Sequence, residues 1–384
     1  MIYLDNAATS NPKPDTVWQA MESYMRTLGT SPGRGGYASS LASGRLVFST
    51  RSRVCSLFNV PTEKQVVFMP NVTYALNTAF KGLLVPGDHV ITSSMEHNSV
   101  IRPLRFLEAE GDIEVSIVPC NSKGELDPED VRKALRPDTK MIVLTAASNV
   151  TGTLMPIHAV GRIAREAGVY YVLDTAQAAG YLDLNFGDLA TDVLAFTGHK
   201  SLYGPPGTGG FVLSERAAAQ MVPLVQGGTG SRSDREEQPE DLPDKFEAGT
   251  LNTVGIAGLG AGVEFVLEQG LARIRVHESN LTRLFIAGLR EISGLRFYGP
   301  DEDRERVPTV SVTLPGLDLG EVAYRLDAEY GIMVRSGLHC SPLAHRTIGT
   351  FPEGTLRFSF GYFNTEVDVH AALQALERFA AGYH

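Results

Sequence analysis

The sequence predicts an α/β protein with a mostly parallel seven-stranded sheet in a large domain, followed by a smaller α+β domain. Three observations predict it. From about residue 64 to 215, short apolar runs alternate with longer helix-like segments, the pattern of strand–helix–strand units. Those runs end in polar residues suited to chemistry, as expected where an open α/β sheet binds ligands beyond the carboxyl ends of its strands. After residue 215 the alternation stops and longer helical patterns take over.

Taken in order, strands are expected at 65–69, 89–93, 114–119, 141–146, 170–174, 193–196 and 209–213. Helices are expected between them at 73–84, 128–135 and 159–167, the last opening after Pro156 and stopping near Gly168. Residues 226–244 are rich in glycine, serine and charge and read as a solvated loop, with a lid as the alternative. Helices at 255–267 and 278–292 lead into strand 309–314, helix 319–330, strand 355–360 and a closing amphipathic helix at 366–379. The expected division is a segment 1–14, a large domain 15–253 and a small domain 254–384. No internal repeat is evident.

With 384 residues, 43% of them hydrophobic, the chain can bury a large core. A formal charge of -10 argues against nucleic acid or an anionic membrane as the main partner. The first residues have no signal-peptide pattern, and no apolar run is long enough to span a bilayer. Cys55, Cys120 and Cys340 are far apart and none lies in a C-x-x-C pair, which excludes a disulfide framework and speaks against a metal centre. Cytoplasmic location is the expectation. Cys55 and Cys120 read as small core residues.

The chemistry starts with Lys200, in Thr197-Gly198-His199-Lys200-Ser201 at the mouth of a strand, where a lysine can form a Schiff base with a bound aldehyde. Strand 170–174 ends in Asp174. An aspartate for a pyridinium nitrogen and a lysine for an imine are the two protein groups that pyridoxal 5'-phosphate needs most. Gln177 and Asn149 can reach the phenolic oxygen of such a cofactor, Asn149 having a tight turn before Gly152 as its other reading. His97 offers a ring face for stacking and a group for proton transfer. Thr73 at a helix start can bind a phosphate or simply cap the helix, and Thr197 and His199 can add phosphate contacts. Cys340 lies in a polar loop beside Arg335 and His339, a setting that favours a thiolate. Arg357 puts a guanidinium inside an apolar strand, to meet either a substrate carboxylate or an internal one.

Together these residues resemble the class V aminotransferase superfamily, in its cysteine desulfurase and selenocysteine lyase branch. The likeness runs through Tyr3-Leu4-Asp5-Asn6-Ala7-Ala8-Thr9, Met95-Glu96-His97, Ser148-Asn149-Val150-Thr151-Gly152, Asp174-Thr175-Ala176-Gln177 and Thr197-Gly198-His199-Lys200. It continues through Phe246-Glu247-Ala248-Gly249-Thr250 and Arg335-Ser336-Gly337-Leu338-His339-Cys340, whose short form is similar to the Suf-type group. The resemblance implies a pyridoxal-phosphate enzyme of fold type I, a homodimer with its site at the subunit interface. It further implies that Thr250 reaches the phosphate of the neighbouring subunit, that Arg357 and Asn149 hold the substrate, and that Cys340 takes sulfur from L-cysteine as a persulfide for an acceptor protein. Selenocysteine lyase, another C–S lyase and a sulfur-relay scaffold are the alternatives. Arg34 falls in a segment that approaches the partner's site in such proteins. Departures are Asn71-Val72-Thr73-Tyr74 in place of a Gly-Thr-Thr-Glu type of loop, Leu338 where a second histidine is common, and the absence of the longer N-terminal extension of Suf-type relatives.

Overall fold

A computed structural model describes residues 1–32, 35–301 and 304–382; Arg34 lies outside the described residues. A short strand β1 (Ile2–Tyr3) precedes the large sheet, which holds β2 (Val66–Met69), β3 (Asp88–Ser93), β4 (Ile113–Val118), β5 (Thr139–Thr145), β6 (Tyr170–Asp174), β7 (Val193–Thr197) and β8 (Gly209–Leu213). Their order across the sheet is β2-β8-β7-β6-β5-β3-β4. Only the pairings of β8, with β2 and with β7, are antiparallel.

All seven strands fall where the apolar runs predict them, within two residues at each end. Burial on both sides explains why all but the edge strand β4, whose Glu114 is exposed, read as continuous runs. Ile91, Ile142, Leu144, Tyr171, Leu173, Leu194 and Phe196 face one apolar cluster. Their sequence neighbours Val90, Met141, Val143, Tyr170, Val172, Val193 and Ala195 face another, the two-residue period of a strand. Helix Ile157–Ala167 follows Pro156 and ends at Gly168, whose φ of 71° is the left-handed closing turn expected there.

Helix Thr253–Gln269 lies close against helix Ala38–Phe58 and against the loop that carries Lys200. A Cβ at Gly262 would stand 2.3 Å from the Leu202 carbonyl, so only glycine permits this approach. The following helix begins at Leu271 and not at 278, because Gly270 (φ 78°) ends one helix and opens the next directly. Residues 226–244 form turns and bends without helix or strand.

The C-terminal part has β9 (Arg296–Tyr298), β10 (Thr309–Thr313), β11 (Ile332–Met333), β12 (Arg335–Gly337) and β13 (Thr355–Ser359). The antiparallel sheet runs β12-β13-β10-β9, and β1 pairs in parallel with β11. Leu4 is buried in the same apolar cluster as Leu356, Phe358 and the inner face of helix Glu366–Ala380, so the first residues belong physically to the last part of the chain. A reciprocal pair between Thr365 and Asp368 caps that final helix. Among the described residues no single helix is long and apolar enough to cross a membrane.

Candidate active site

Asp174 and Lys200 follow adjacent parallel strands, with Asp174 in register with Ala195. The lysine loop is a closed turn: Tyr203 N–H donates to the Lys200 carbonyl at 2.8 Å, and Gly204 N–H to the Gly198 carbonyl at 2.8 Å. The N-terminal segment pins it, because the His199 carbonyl accepts from Ser10 N–H at 3.0 Å, Thr9 Oγ1 at 2.9 Å and Lys13 Nζ at 3.2 Å.

Asp174 is buried and accepts from Ala176 N–H at 2.9 Å and Ser99 Oγ at 3.4 Å. Burial raises its pKa; those hydrogen bonds and Lys200 oppose the rise. Burial also pulls the Lys200 ammonium down to about 8, with the nearby Asp174 holding it from falling further. A lysine so tuned has an appreciable uncharged fraction near neutrality, the form that attacks an aldehyde or accepts a proton.

His97 caps helix Asn98–Ala109. Its Nδ1 accepts from Ser99 N–H at 3.0 Å, so the ring proton sits on Nε2. Burial, then Lys200, Arg357 and Arg102, lower its pKa to about 3, and the ring is neutral. Behind it Glu96 is fully buried, one oxygen accepting from Ser93 Oγ at 2.6 Å and Thr145 N–H at 3.0 Å. The other oxygen has no partner among the described residues, and burial lifts the carboxyl to about 8.

The cysteine loop is tied onto these elements. Asn98 N–H donates to the Cys340 carbonyl at 2.8 Å, and Asn149 Nδ2 to the His339 carbonyl at 2.7 Å. Ser341 Oγ returns a bond to Asn149 Oδ1 at 2.8 Å, leaving Asn149 one free amide hydrogen and one lone pair. His339 and Cys340 have φ of 48° and 59°, two successive non-glycine residues in the left-handed region, and Cys340 stays exposed. His339 is instead buried on Thr355, 3.1 Å from its carbonyl, and burial lowers its pKa to about 2. Of the two neighbours expected to favour a thiolate, His339 is therefore corrected: its imidazole is neutral and buried against Thr355.

Arg357 on β13 has side-chain exposure of only 2%. It donates to Asp5 Oδ1 at 2.6 Å and to the Asn149 carbonyl at 3.1 Å. Its Nε–H is buried and has no acceptor among the described residues. The internal carboxylate that the sequence left open is thus Asp5, and a donor remains over.

Bonds and mutual fields bring Lys200, Asp174, His97, Asn149, Arg357 and the Cys340 loop together. Gln177 donates to the Ala7 carbonyl at 3.0 Å, fixing the N-terminal segment beside Asp174. Thr197 Oγ1 is buried without a partner among the described residues. His199 is drawn down to about 4 by burial and by Lys200 and Lys13. Thr73 is exposed in the first turn of helix Val72–Leu83, and Asn71, not Thr73, caps it. Thr250 lines a cavity of about 270 Å³ with Phe68, Tyr74, Phe246 and Ile256, whose lining includes none of Lys200, Asp174 or Cys340. Sequence reasoning missed Ser99, which joins His97 to Asp174. A small hydroxyl residue two places after a capping histidine was the available signal.

The class-V aminotransferase family profile matches residues 2–372. A probable cysteine desulfurase of Methanothermobacter thermautotrophicus is 33% identical over 384 residues, 99% of this chain and 94% of its own. The cysteine desulfurase of Yersinia pseudotuberculosis is 31% identical, covering 98% of this chain and 93% of its own. The apo structure of a cysteine desulfurase from Thermococcus onnurineus superimposes with a TM-score of 0.93 at 31% identity, over 99% of this chain and 95% of that one.

Proposed function

The chain belongs to the class-V aminotransferase family, and on that premise we propose that it is a pyridoxal-phosphate-dependent cysteine desulfurase that turns L-cysteine into L-alanine and keeps the sulfur on Cys340 as a persulfide. The observation that supports this most is the 2.8 Å bond from Asn98 to the Cys340 carbonyl. It ties an exposed thiol to the helix start occupied by His97, in the field of Lys200.

The residues present fit the cofactor. Asp174 is a buried acceptor for a pyridinium N–H, and Lys200 is a partly uncharged amine for the aldehyde. The unpartnered Thr197 hydroxyl, with Thr73 and His199, would serve the phosphate, while Gln177 and the remaining amide hydrogen of Asn149 would serve the ring oxygen, with the His97 ring against its face. When bound, the cofactor supplies a sink for the electron pair left at the substrate α-carbon.

The chain's own groups do the rest. Arg357 holds the substrate carboxylate through the Nε–H that has no internal acceptor. Lys200 Nζ, once free, takes the α-proton, which its lowered pKa permits near neutrality. His97, neutral with its proton on Nε2, can donate there without adding charge. Cys340 attacks the substrate sulfur as the thiolate: an S–S bond forms, the substrate C–S bond breaks, and the electron pair stays with the carbon skeleton, which is protonated to alanine.

In this reading residues 15–253 form the cofactor domain and 254–384 the small domain. Residues 1–14 join them, reaching Met333 from Leu4 and His199 from Ser10. A homodimer is part of the proposal. Trp18, Met25, Leu41 and Phe48 are all about half exposed or more, an apolar surface that a second copy would cover and that would bring its Thr250 to the phosphate. A protein acceptor receives the sulfur, and three free thiols suit a cytoplasmic setting.

The test is to incubate the holoenzyme with L-cysteine, without reductant, and to weigh the peptide containing Cys340. A gain of one sulfur is expected. An unmodified Cys340 alongside intact cofactor would overturn the desulfurase reading in favour of selenocysteine lyase or another C–S lyase.

A further inference from the structure

Cys340 is held by the residues before and after it. The His339 carbonyl and the Ser341 hydroxyl both bond Asn149, and Ser341 N–H closes the turn on the Leu338 carbonyl at 2.8 Å. His339 and Cys340 occupy the left-handed region, which residues with a side chain keep only where their surroundings over-determine it. The buried His339 ring roots this turn, its Nε2 meeting the Thr355 carbonyl at 3.1 Å.

A second contact fixes that ring. His345, in helix Pro342–Ile348, packs against it with ring centroids 5.5 Å apart and planes inclined by 43°. His345 is fully buried, and its own place is set three times over. Its Nδ1 is 2.7 Å from Thr350 Oγ1, its carbonyl accepts from Thr350 N–H at 2.8 Å, and its N–H donates to the Ser341 carbonyl at 3.2 Å. Burial pulls both imidazoles down, His339 to about 2 and His345 to about 4, so the contact is between two neutral rings. No step assigned to the site uses His345. We propose that His345 is a positioning residue for Cys340: its ring holds the His339 ring against Thr355, and the His339 backbone carries that constraint to the thiol.

This inference rests on the reading of Cys340 as the group that takes the sulfur. The variant His345→Phe keeps a ring face against His339. His345→Asn removes the ring but keeps a hydrogen-bond partner for Thr350, which guards the fold. Two rates of the holoenzyme are compared. Alanine release from L-cysteine needs Cys340, whereas exchange of the α-proton of L-alanine with D2O, followed by NMR, needs Lys200 and the cofactor but not Cys340. The ratio of release to exchange should fall at least about tenfold in His345→Asn, since a small displacement of a reacting group is enough for that, and stay near the wild-type value in His345→Phe. A merely structural role would lower both rates together. A ratio unchanged in His345→Asn, or fallen as far in His345→Phe, would overturn the proposal.

A wild-type holoenzyme that releases no alanine from L-cysteine would sink the proposed function instead. His345 is then judged by backbone hydrogen exchange in the peptide that spans residues 338–341. Exchange there should quicken at least about tenfold in His345→Asn and match wild type in His345→Phe, with the peptide containing Lys200 unchanged in both. Equal exchange at 338–341 in all three proteins refutes the role.

Discussion

Arg51 and Glu247 form a two-point ion pair, Nη1 to Oε1 at 2.8 Å and Nη2 to Oε2 at 2.9 Å, with both side chains almost fully buried. Glu247 also accepts from Phe68 N–H at 2.8 Å, and the guanidinium lies 4.6 Å from the centre of the Phe68 ring. A helix near the N-terminus is thereby clamped to the edge of the large sheet and to the loop that ends in Thr250. Glu247→Ala leaves a buried guanidinium without its counter-charge and should cost about 3–5 kcal/mol. Urea unfolding should show a lower midpoint with an unchanged slope.

Lys200 gives a prediction that needs no turnover. Only its uncharged amine reacts with an aldehyde, and burial sets its pKa at about 8. The rate at which the cofactor-free protein takes up pyridoxal phosphate should climb with pH up to about 8 and then level off, followed by absorbance. Borohydride reduction should fix the cofactor to the peptide containing Lys200, and Lys200→Ala should show no such adduct. A flat rate profile would contradict the tuned lysine.

Cys340→Ser changes an exposed side chain, so its melting temperature should match wild type. Alanine release from L-cysteine should fall by at least about a hundredfold, because a hydroxyl cannot take over sulfur from the substrate. Undiminished turnover would remove Cys340 from the chemistry.

Glu96 and Glu278 set a pH dependence of stability. Burial raises both carboxyls to about 8, against an ordinary value of 4.5. Each therefore favours the folded chain fully below about pH 4.5, and that contribution is lost as pH rises to about 8. Glu96→Gln and Glu278→Gln mimic the protonated forms. Each should narrow the fall in melting temperature between pH 5 and pH 9, by several degrees at the upper end. Parallel curves for variant and wild type would show that neither carboxyl holds its proton.

The large sheet was legible because its inner strands are apolar on both faces and punctuated by turns. Lys200 and Asp174 stood out because they end two such runs. What stayed hidden was set by distance in the chain or by brevity. Asp5 meets Arg357 across 352 positions, and no local pattern announces it. Strands β11 and β12 have two and three residues, too few for a period to show. Glu96 was visible only within Met95-Glu96-His97, since its burial comes from elements distant in sequence, among them Thr145 of β5, whose N–H meets its carboxylate. The start of the helix at Leu271 was masked because Gly270 joins two helices with no intervening loop.

The pairing of β1 with β11 has a bearing on how the chain is made. Ile2 aligns with Ile332, so β1 is made long before the strand it pairs with. The large sheet is complete in sequence by Leu213 and can form earlier, since domains fold as units in the order of synthesis. A nascent chain at that stage already carries Asp174 and Lys200 but has neither Arg357 nor Cys340. Translation thus assembles Lys200 before the groups that would join it in the proposed site.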